Sequence, residues 1–301
     1  MSYSKSPSLI HKLYIYQEKR FPIVFLMLSI FPVILSSAAI VTQGKINLLQ
    51  VFLAFIASLC YFLHIRIIDD FRDFDHDNLC HRDRPVQAGI ISLDELRKVD
   101  FIMIFVFLII SIFSNLYSLI LAVLLLIYTY FARNDFFMSK KIRKYFYLYN
   151  VINLFQMIIL QIFIYLFFSK SLYFNSLLAF HFFFIITGTL IFEFLRKLKT
   201  PELEGTGKDT YSWYMGFGKA IIFYLLLFFL NTFLFFKIIT FTYIDLNIFT
   251  FVLLFFILLS LLFSYLFWIK KSDNMNKMLQ IISLSSYGLF NMIIYFTNYN
   301  I

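Results

Sequence analysis

Five aspartates lie within nine residues of this sequence, directly after an apolar run that is long enough to cross a membrane. They are Asp69, Asp70, Asp73, Asp75 and Asp77. At helical spacing all of them except Asp75 share one face. Because neighbouring carboxylates on one helix face repel each other, we expect this face to bind a cation. Mg²⁺ is the expected ion, since it takes hard oxygen ligands and commonly binds through a few carboxylates together with substrate phosphates.

The composition indicates that an integral membrane protein carries this cluster. Of the 301 residues, 61% are hydrophobic and only 14% are charged. The apolar residues are gathered into stretches of about twenty, which is the length that spans a bilayer. We therefore predict an all-α fold with nine transmembrane helices around a central cavity. The predicted spans cover residues 22–42, 47–68, 98–114, 116–132, 147–168, 172–192, 218–236, 246–269 and 279–298.

The distribution of Lys and Arg predicts the orientation of these spans. With nine spans, 23 of the 26 Lys and Arg residues fall on the side that holds the N-terminus, and the other side keeps Lys45, Lys170 and Lys237. The positive-inside rule then predicts an N-in/C-out topology, with the acidic cluster on the cytoplasmic face of a plasma or inner membrane. The net charge of +9 reflects this bias and an affinity for anionic lipids, so we expect membrane lipid and no nucleic acid as a partner. The sequence indicates no oligomeric state.

We predict a single membrane domain over residues 1–301, with functional loops at about 69–97 and 193–217. These two loops hold 12 of the 17 acidic residues. Each follows the second helix of a four-helix block, and Asp70 and Glu193 are 123 residues apart. We infer a weak internal repeat whose two loops face each other across the central cavity.

The first loop resembles the first signature of the UbiA superfamily of intramembrane prenyltransferases. That signature reads N-D-x-x-D-x-x-x-D, followed by R-P, a glycine and a small hydroxyl residue. Asp69 stands at the Asn position, and the remaining positions are Asp70, Asp73, Asp77, Arg84, Pro85, Gly89 and Ser92. The resemblance implies that the three aspartates of the motif bind Mg²⁺ and act in catalysis, that Asp69 assists them, and that Arg84 contacts a diphosphate.

The second loop departs from the second signature of that superfamily, a D-x-x-D-x-x-x-D after the sixth helix. Glu193 occupies the first acidic position, but Arg196 and Thr200 stand where the next two acids are expected. Two interpretations stay open. Either Glu204 and Asp209 return a carboxylate to the site, or basic residues meet the diphosphate directly, since arginine suits bidentate phosphate contacts. The candidate substrate-binding residues of this loop are Glu193, Arg196, Lys197, Lys208 and Asp209.

The resemblance implies an enzyme that transfers an isoprenyl group from a prenyl diphosphate to a lipophilic, in some cases aromatic, acceptor within the membrane. This is a transfer of an alkyl group other than methyl. One alternative is a related terpene cyclase, in which the double bonds of the substrate trap the carbocation. Another is a non-catalytic transporter or lipid-binding protein of the same fold. A transporter is expected to carry polar residues at mid-membrane depth and broken helices at matched positions, whereas the charges here lie near one face.

Overall fold

The structure, a computed structural model, describes residues 7–137, 145–204, 209–241 and 246–299, and these residues form helices and turns without strands. The prediction of an all-α fold is thereby confirmed. Twelve α-helices, labelled α1 to α12, follow one another, and a short 3₁₀ helix, Asp135–Phe137, comes after α6. In chain order the α-helices are Leu9–Arg20, Ile23–Thr42, Leu48–Arg72, Phe74–Cys80, Leu93–Ser114, Leu116–Arg133, Phe146–Phe168, Ser176–Arg196, Tyr211–Met215, Phe217–Thr240, Leu246–Lys270 and Asp273–Tyr299.

Eight helices of the described chain are long and apolar enough to cross a bilayer, namely α2, α3, α6, α7, α8, α10, α11 and α12. The protein is therefore an integral, multi-pass membrane protein. Helix α5 covers the predicted span 98–114 but is not among the eight. The reason is that any stretch of 18 residues within it contains at least Arg97, Lys98 and Asp100. The count of nine spans, the N-in/C-out orientation and the central cavity stay predictions.

The exposed side chains show why such helices need lipid around them. Phe251, Leu258 and Tyr265 of α11 are spaced seven residues apart and are 72%, 66% and 64% exposed. Residues at this spacing lie on one face of a helix. A continuous apolar face of this kind is a surface for lipid tails rather than for water.

Contacts divide the chain into two compact units, and the first comprises residues 1–27 and 52–156. Its core packs α1 against α3 and α5 through buried side chains that include Tyr16, Ile67 and Leu96. Helices α5 and α6 are separated at Asn115, whose backbone is extended and whose side-chain oxygen accepts the N–H of Ser118 at 3.0 Å. Asparagine favours this position because its side chain satisfies an N–H that the helix leaves without a partner. The predicted boundary between spans 98–114 and 116–132 is thus confirmed as a helix boundary.

The second unit comprises residues 28–51 and 157–301. Its helices α8, α10, α11 and α12 pack against one another. The core is strongly aromatic, and the rings of Phe235 and Phe290 stack with centroids 4.2 Å apart. The expectation that residues 1–301 form one domain stays a prediction.

A chain of buried hydrogen bonds ties four helices of this second unit together. The Nδ1 atom of His181 lies 2.7 Å from the Tyr165 hydroxyl, and its Nε2 atom lies 3.0 Å from the Ser36 hydroxyl. Ser36 also contacts Oδ1 of Asn291 at 2.7 Å. Because that amide oxygen can only accept, Ser36 donates to it, so the proton of His181 must be on Nε2 and Tyr165 donates to Nδ1. Each polar group in this chain is therefore satisfied inside the membrane.

Candidate active site

The acidic motif lies where α3 ends and α4 begins. Asp69 and Asp70 belong to the last turn of α3, Asp73 directly precedes α4, and Asp77 lies within α4. The N–H of Asp73 still donates to the Asp69 carbonyl at 2.9 Å, and the N–H of Asp77 to the Asp73 carbonyl at 2.8 Å. Asp73 itself has φ −99° and ψ 11°, which lies outside the helical region. The one continuous helix that the sequence pattern suggested is therefore interrupted at Asp73.

Asp70 is buried against α1. The Tyr16 hydroxyl donates to its Oδ2 at 2.5 Å, and Arg20 Nε donates to its Oδ1 at 3.0 Å, with a second, close contact from Arg20 Nη2. Burial, together with the negative charge of Asp70 and the hydrogen bond to it, raises the pKa of Tyr16 well above its ordinary value. The phenol therefore stays protonated and acts as a donor, and both carboxylate oxygens of Asp70 are bound by α1.

Asp69 and Asp73 converge on a single guanidinium. Arg72 Nη2 lies 2.7 Å from Asp69 Oδ1 and 3.0 Å from Asp73 Oδ2. Arg72 is held in place by Asn153, whose Oδ1 accepts from its Nη1 at 3.3 Å, and by the ring of Tyr149 at 5.7 Å. The side chains of Asp69 and Asp73 are 26% and 28% exposed, so this pair is the part of the motif that a solute can reach.

Asp77 is buried and forms a close ion pair with Arg84. A compact turn positions Arg84: the N–H of Ala88 donates to the Arg84 carbonyl at 2.8 Å, and the N–H of Ile90 to the Pro85 carbonyl at 2.9 Å. Gly89 completes the turn with φ +70°, a conformation that glycine adopts at little cost. The R-P and glycine positions of the sequence motif thus serve to fix one arginine beside one carboxylate.

The four motif carboxylates are each paired with an arginine. Arg20 pairs with Asp70, Arg66 and Arg72 with Asp69, Arg72 with Asp73, and Arg84 with Asp77. The guanidinium groups offset the repulsion among the carboxylates, which would otherwise destabilise this helix end. Carboxylate oxygens are the donor type that a hard divalent cation prefers. The structure brings Asp69 and Asp73 together on Arg72, while Asp70 and Asp77 each bind a different arginine.

A cavity of about 650 Å³ lies beside the motif, lined by residues of α1, α4 and α5 that include Lys12, Phe74 and Lys98. Within the described chain none of the four motif carboxylates lines it. Its wall is held by Glu95, which accepts from Lys12 Nζ at 2.7 Å and from the N–H of Ser92 at 2.9 Å. The hydrogen bond from Lys12, followed by that from Ser92, lowers the pKa of Glu95 to about 2. Ser92 also caps α5, as the small hydroxyl position of the motif predicts.

The second loop belongs to the second unit. Glu193 pairs with Arg196, whose Nη2 lies 2.8 Å from Oε2, and with Lys197, whose Nζ lies 2.9 Å from Oε1. Glu204 accepts from the hydroxyls of Thr210 and Ser212 at 2.5 and 2.6 Å.

Asp209 and Lys208 are the two remaining predicted residues of this loop. Asp209 is exposed, and Lys208 lies outside the described residues. Glu204 thus uses its carboxylate to hold the start of α9, and Glu193 uses its own to hold two basic side chains.

The sequence analysis missed Tyr16 and Arg20, which are the partners of Asp70. They precede Asp70 by 54 and 50 residues, and no spacing rule links them to it. Their own spacing, i and i+4, places them on one face of α1, so a search for a polar pair at the end of the first helix would have found them. It would not have identified their partner.

A model of the UbiA prenyltransferase family matches residues 29–286 of this chain. No curated protein matches its sequence significantly.

Solved structures share the fold at low sequence identity. One, from work on the biosynthesis of digeranylgeranylglyceryl phosphate synthase in membranes, is 20% identical with a TM-score of 0.60, over 94% of this chain and 99% of that one. An apo UbiA homolog from Aeropyrum pernix K1 is 15% identical with a TM-score of 0.63, over 88% and 97% of the two chains. A UbiA homolog from Archaeoglobus fulgidus bound to DMAPP and Mg²⁺ is 13% identical with a TM-score of 0.54, over 92% and 96%.

Proposed function

Because the chain belongs to the UbiA prenyltransferase family, we propose that it transfers an isoprenyl group from a prenyl diphosphate to a lipophilic acceptor within the membrane, with Mg²⁺ as its cofactor. The observation that carries the proposal is the set of four carboxylates at the end of the apolar helix α3, each paired with an arginine. The bound DMAPP and Mg²⁺ of the Archaeoglobus fulgidus homolog support the same substrate class and ion.

We assign the metal to the four motif carboxylates. Asp69 and Asp73 already enclose one cationic nitrogen, that of Arg72, and both are partly exposed. Asp70 and Asp77 complete the set of ligands once Arg20 and Arg84 release them. In the proposed arrangement Asp70, Asp73 and Asp77 act in catalysis, and Asp69 assists them. Bound there, Mg²⁺ would neutralise the charge that develops on the departing diphosphate.

The diphosphate is assigned to basic side chains from both loops. Arg84 is held in position by its turn and by Asp77, and the planar guanidinium can meet two phosphate oxygens at once. In the second loop, Glu193 gathers Arg196 and Lys197 within contact distance of its carboxylate. This loop therefore offers the diphosphate positive charge where the family signature has acids. We assign substrate binding to Arg84, Glu193, Arg196, Lys197, Lys208 and Asp209.

The reaction follows from these assignments. The C–O bond of the allylic diphosphate breaks, the diphosphate leaves with the electron pair, and an allylic carbocation remains. The apolar helices keep water away from the cation, which prevents hydrolysis. An electron-rich acceptor then attacks the cation and gives up a proton. The isoprenoid tail is as apolar as lipid, so it would lie between helices or in the bilayer, and we place the site on the cytoplasmic side of the membrane.

A matched pair of aspartate variants tests the proposal. Purified protein with radiolabelled prenyl diphosphates, Mg²⁺ and a set of lipophilic acceptors should give prenylated product. Asp73→Asn should reduce turnover by about 10²–10³-fold, the typical cost of losing one electrostatic group at a reacting centre. Asp75→Asn removes the same charge two residues away, at an exposed position, and should change turnover little.

The outcomes of this assay separate the alternatives. Equal activity of both variants would refute the assignment of the motif. Release of diphosphate with a cyclic hydrocarbon product and no acceptor would identify a terpene cyclase instead.

A further inference from the structure

Two histidines flank the last aspartate of the motif and take no part in the proposed function. Ligand atoms of His76, Asp77 and His81 all lie within 4.8 Å of one another. His76 Nδ1 is 3.6 Å from Asp77 Oδ1, and the two imidazole rings have centroids 5.9 Å apart. This places two nitrogen donors and one oxygen donor around a common point.

The end of α4 brings these three side chains together. In a continuous helix, His76 and His81 would be separated by five residues, or about 140° around the axis, and would point apart. Helix α4 ends at Cys80, however, and His81 caps it with a backbone that is no longer helical, at φ −140° and ψ 55°. The N–H of His81 donates to the Asp77 carbonyl at 2.8 Å, which holds the second imidazole close to the first.

The donor set is one for a borderline transition metal rather than for Mg²⁺. Imidazole nitrogens suit Zn²⁺, Co²⁺ and related ions, whereas Mg²⁺ prefers oxygen. Two ligands of a tetrahedral zinc ion, at bond lengths of about 2.0–2.2 Å, are roughly 3.4 Å apart. The 3.6 Å between His76 and Asp77 is close to that separation.

The surroundings of Asp77 suit a ligand role as well. Arg84 contacts Asp77 Oδ2, while Oδ1 is the oxygen nearest His76. A carboxylate that binds a metal through one oxygen is commonly fixed by a hydrogen-bond donor on its other side. The side chain of His76 is 39% exposed, so an ion can reach the site, and a water molecule can fill a fourth position.

We propose that His76, Asp77 and His81 form a binding site for Zn²⁺ or a similar transition-metal ion. Such a site is distinct in ligand chemistry from the all-oxygen Mg²⁺ site, yet it shares Asp77 with that site. A consequence, which rests on the proposed function, is that zinc inhibits prenyl transfer by withdrawing Asp77 from the set of Mg²⁺ ligands.

Metal binding without any substrate tests the site directly. The full chain, purified in detergent, is stripped with a chelator and titrated with Zn²⁺ in a calorimeter and with Co²⁺ by visible absorption. Tight binding of one ion and the d–d bands of four-coordinate cobalt are expected. His76→Ala and His81→Asn should each weaken zinc binding by at least about 10-fold, the lower end of what the loss of a group around a metal costs.

His11→Ala is the matched control, because His11 is an exposed imidazole on α1 and its removal should leave the affinity unchanged. Size-exclusion profiles and circular dichroism verify that each variant is folded. Unchanged zinc affinity in the folded His76→Ala/His81→Asn double variant would overturn the proposal, and so would an equal loss in His11→Ala.

Turnover gives a second and separable readout. At fixed Mg²⁺, zinc should inhibit the wild type and should inhibit the double variant at least about 10-fold less strongly, in proportion to its weaker metal binding. A chain that binds zinc through these residues but transfers no prenyl group would refute the proposed function and leave the metal site standing. A chain that transfers prenyl groups but shows the same zinc affinity with and without the two histidines would refute the metal site and leave the proposed function standing.

Discussion

The ion pair between Arg20 and Asp70 is the contact whose removal should cost the most stability in the first unit. The two side chains are 9% and 3% exposed, and Tyr16 donates a further hydrogen bond to the same carboxylate. Arg20→Leu leaves Asp70 buried with its charge uncompensated, and breaking a buried pair in this way costs about 3–5 kcal/mol. Tyr16→Phe removes only one bond to a charged acceptor and should cost about 1.5–3 kcal/mol.

The measurement is the free energy of unfolding in detergent, obtained from denaturant titrations of the wild type and the variants. Lys277→Leu is the matched control, because Lys277 pairs with Asp273 at 2.9 Å but is 64% exposed, and exposed pairs contribute about 0–1 kcal/mol. The double variant Arg20→Leu/Asp70→Leu should be more stable than Arg20→Leu alone, since it removes the buried charge as well. If Arg20→Leu loses no more stability than Lys277→Leu, or if the double variant is the least stable of all, the reasoning is wrong.

Magnesium offers a second test of the same contact. In Arg20→Leu, Asp70 has lost a competing cation, so a bound divalent ion should recover part of the lost stability. The unfolding midpoint of this variant should therefore rise with added Mg²⁺ by more than that of the wild type. An equal rise in both proteins would show that Arg20 and the ion do not compete for Asp70.

Three further changes have defined outcomes in the same unfolding assay. Gly89→Ala forces a side chain into φ +70° and should cost about 1–2 kcal/mol, whereas Gly218→Ala, inside α10 with an ordinary 3.5 Å contact for the new Cβ, should cost little. Because the pKa of Glu95 is lowered from 4.5 to about 2, its contribution is complete above pH 4.5 and is lost as the pH falls toward 2. The stability gap between wild type and Glu95→Gln should close over that range. His181→Leu removes one hydrogen bond from each of two buried hydroxyls, those of Tyr165 and Ser36. The loss should cost about 1–3 kcal/mol for each hydroxyl.

The helices of the fold could be predicted from the sequence because the membrane imposes a simple rule. Twenty apolar residues must form a helix to satisfy their backbone groups, so the predicted span 218–236 lies within helix Phe217–Thr240. Helix Leu93–Ser114 covers the predicted span 98–114 although it carries the charged residue Asp100. Its Asp100 Oδ1 lies 2.6 Å from His64 Nδ1, so a neighbouring helix satisfies the acid. The composition shows the charge of Asp100 but does not reveal that His64 is its partner.

The candidate site could be predicted only as far as local spacing determines it. The order of the motif carboxylates and the turn that positions Arg84 follow from residues close in the chain. Local sequence did not reveal the interruption of the helix at Asp73, nor that Asp70 is bound by α1. The histidine pair around Asp77 was missed for the same reason, because His76 and His81 meet only where the helix ends.

The arginines explain how a cluster of carboxylates and a diphosphate site can occupy the same place. Without ligand, the guanidinium groups of Arg20, Arg72 and Arg84 balance the charge of the aspartates that they contact. On the proposed function, a cation that takes over a carboxylate releases a guanidinium within a few ångströms of the incoming phosphates. That guanidinium then has an anion to bind at once, so no charge is left unpaired in this partly buried site, where the loss of hydration makes an unpaired charge costly. The exchange predicts that metal and diphosphate bind together more tightly than either does alone.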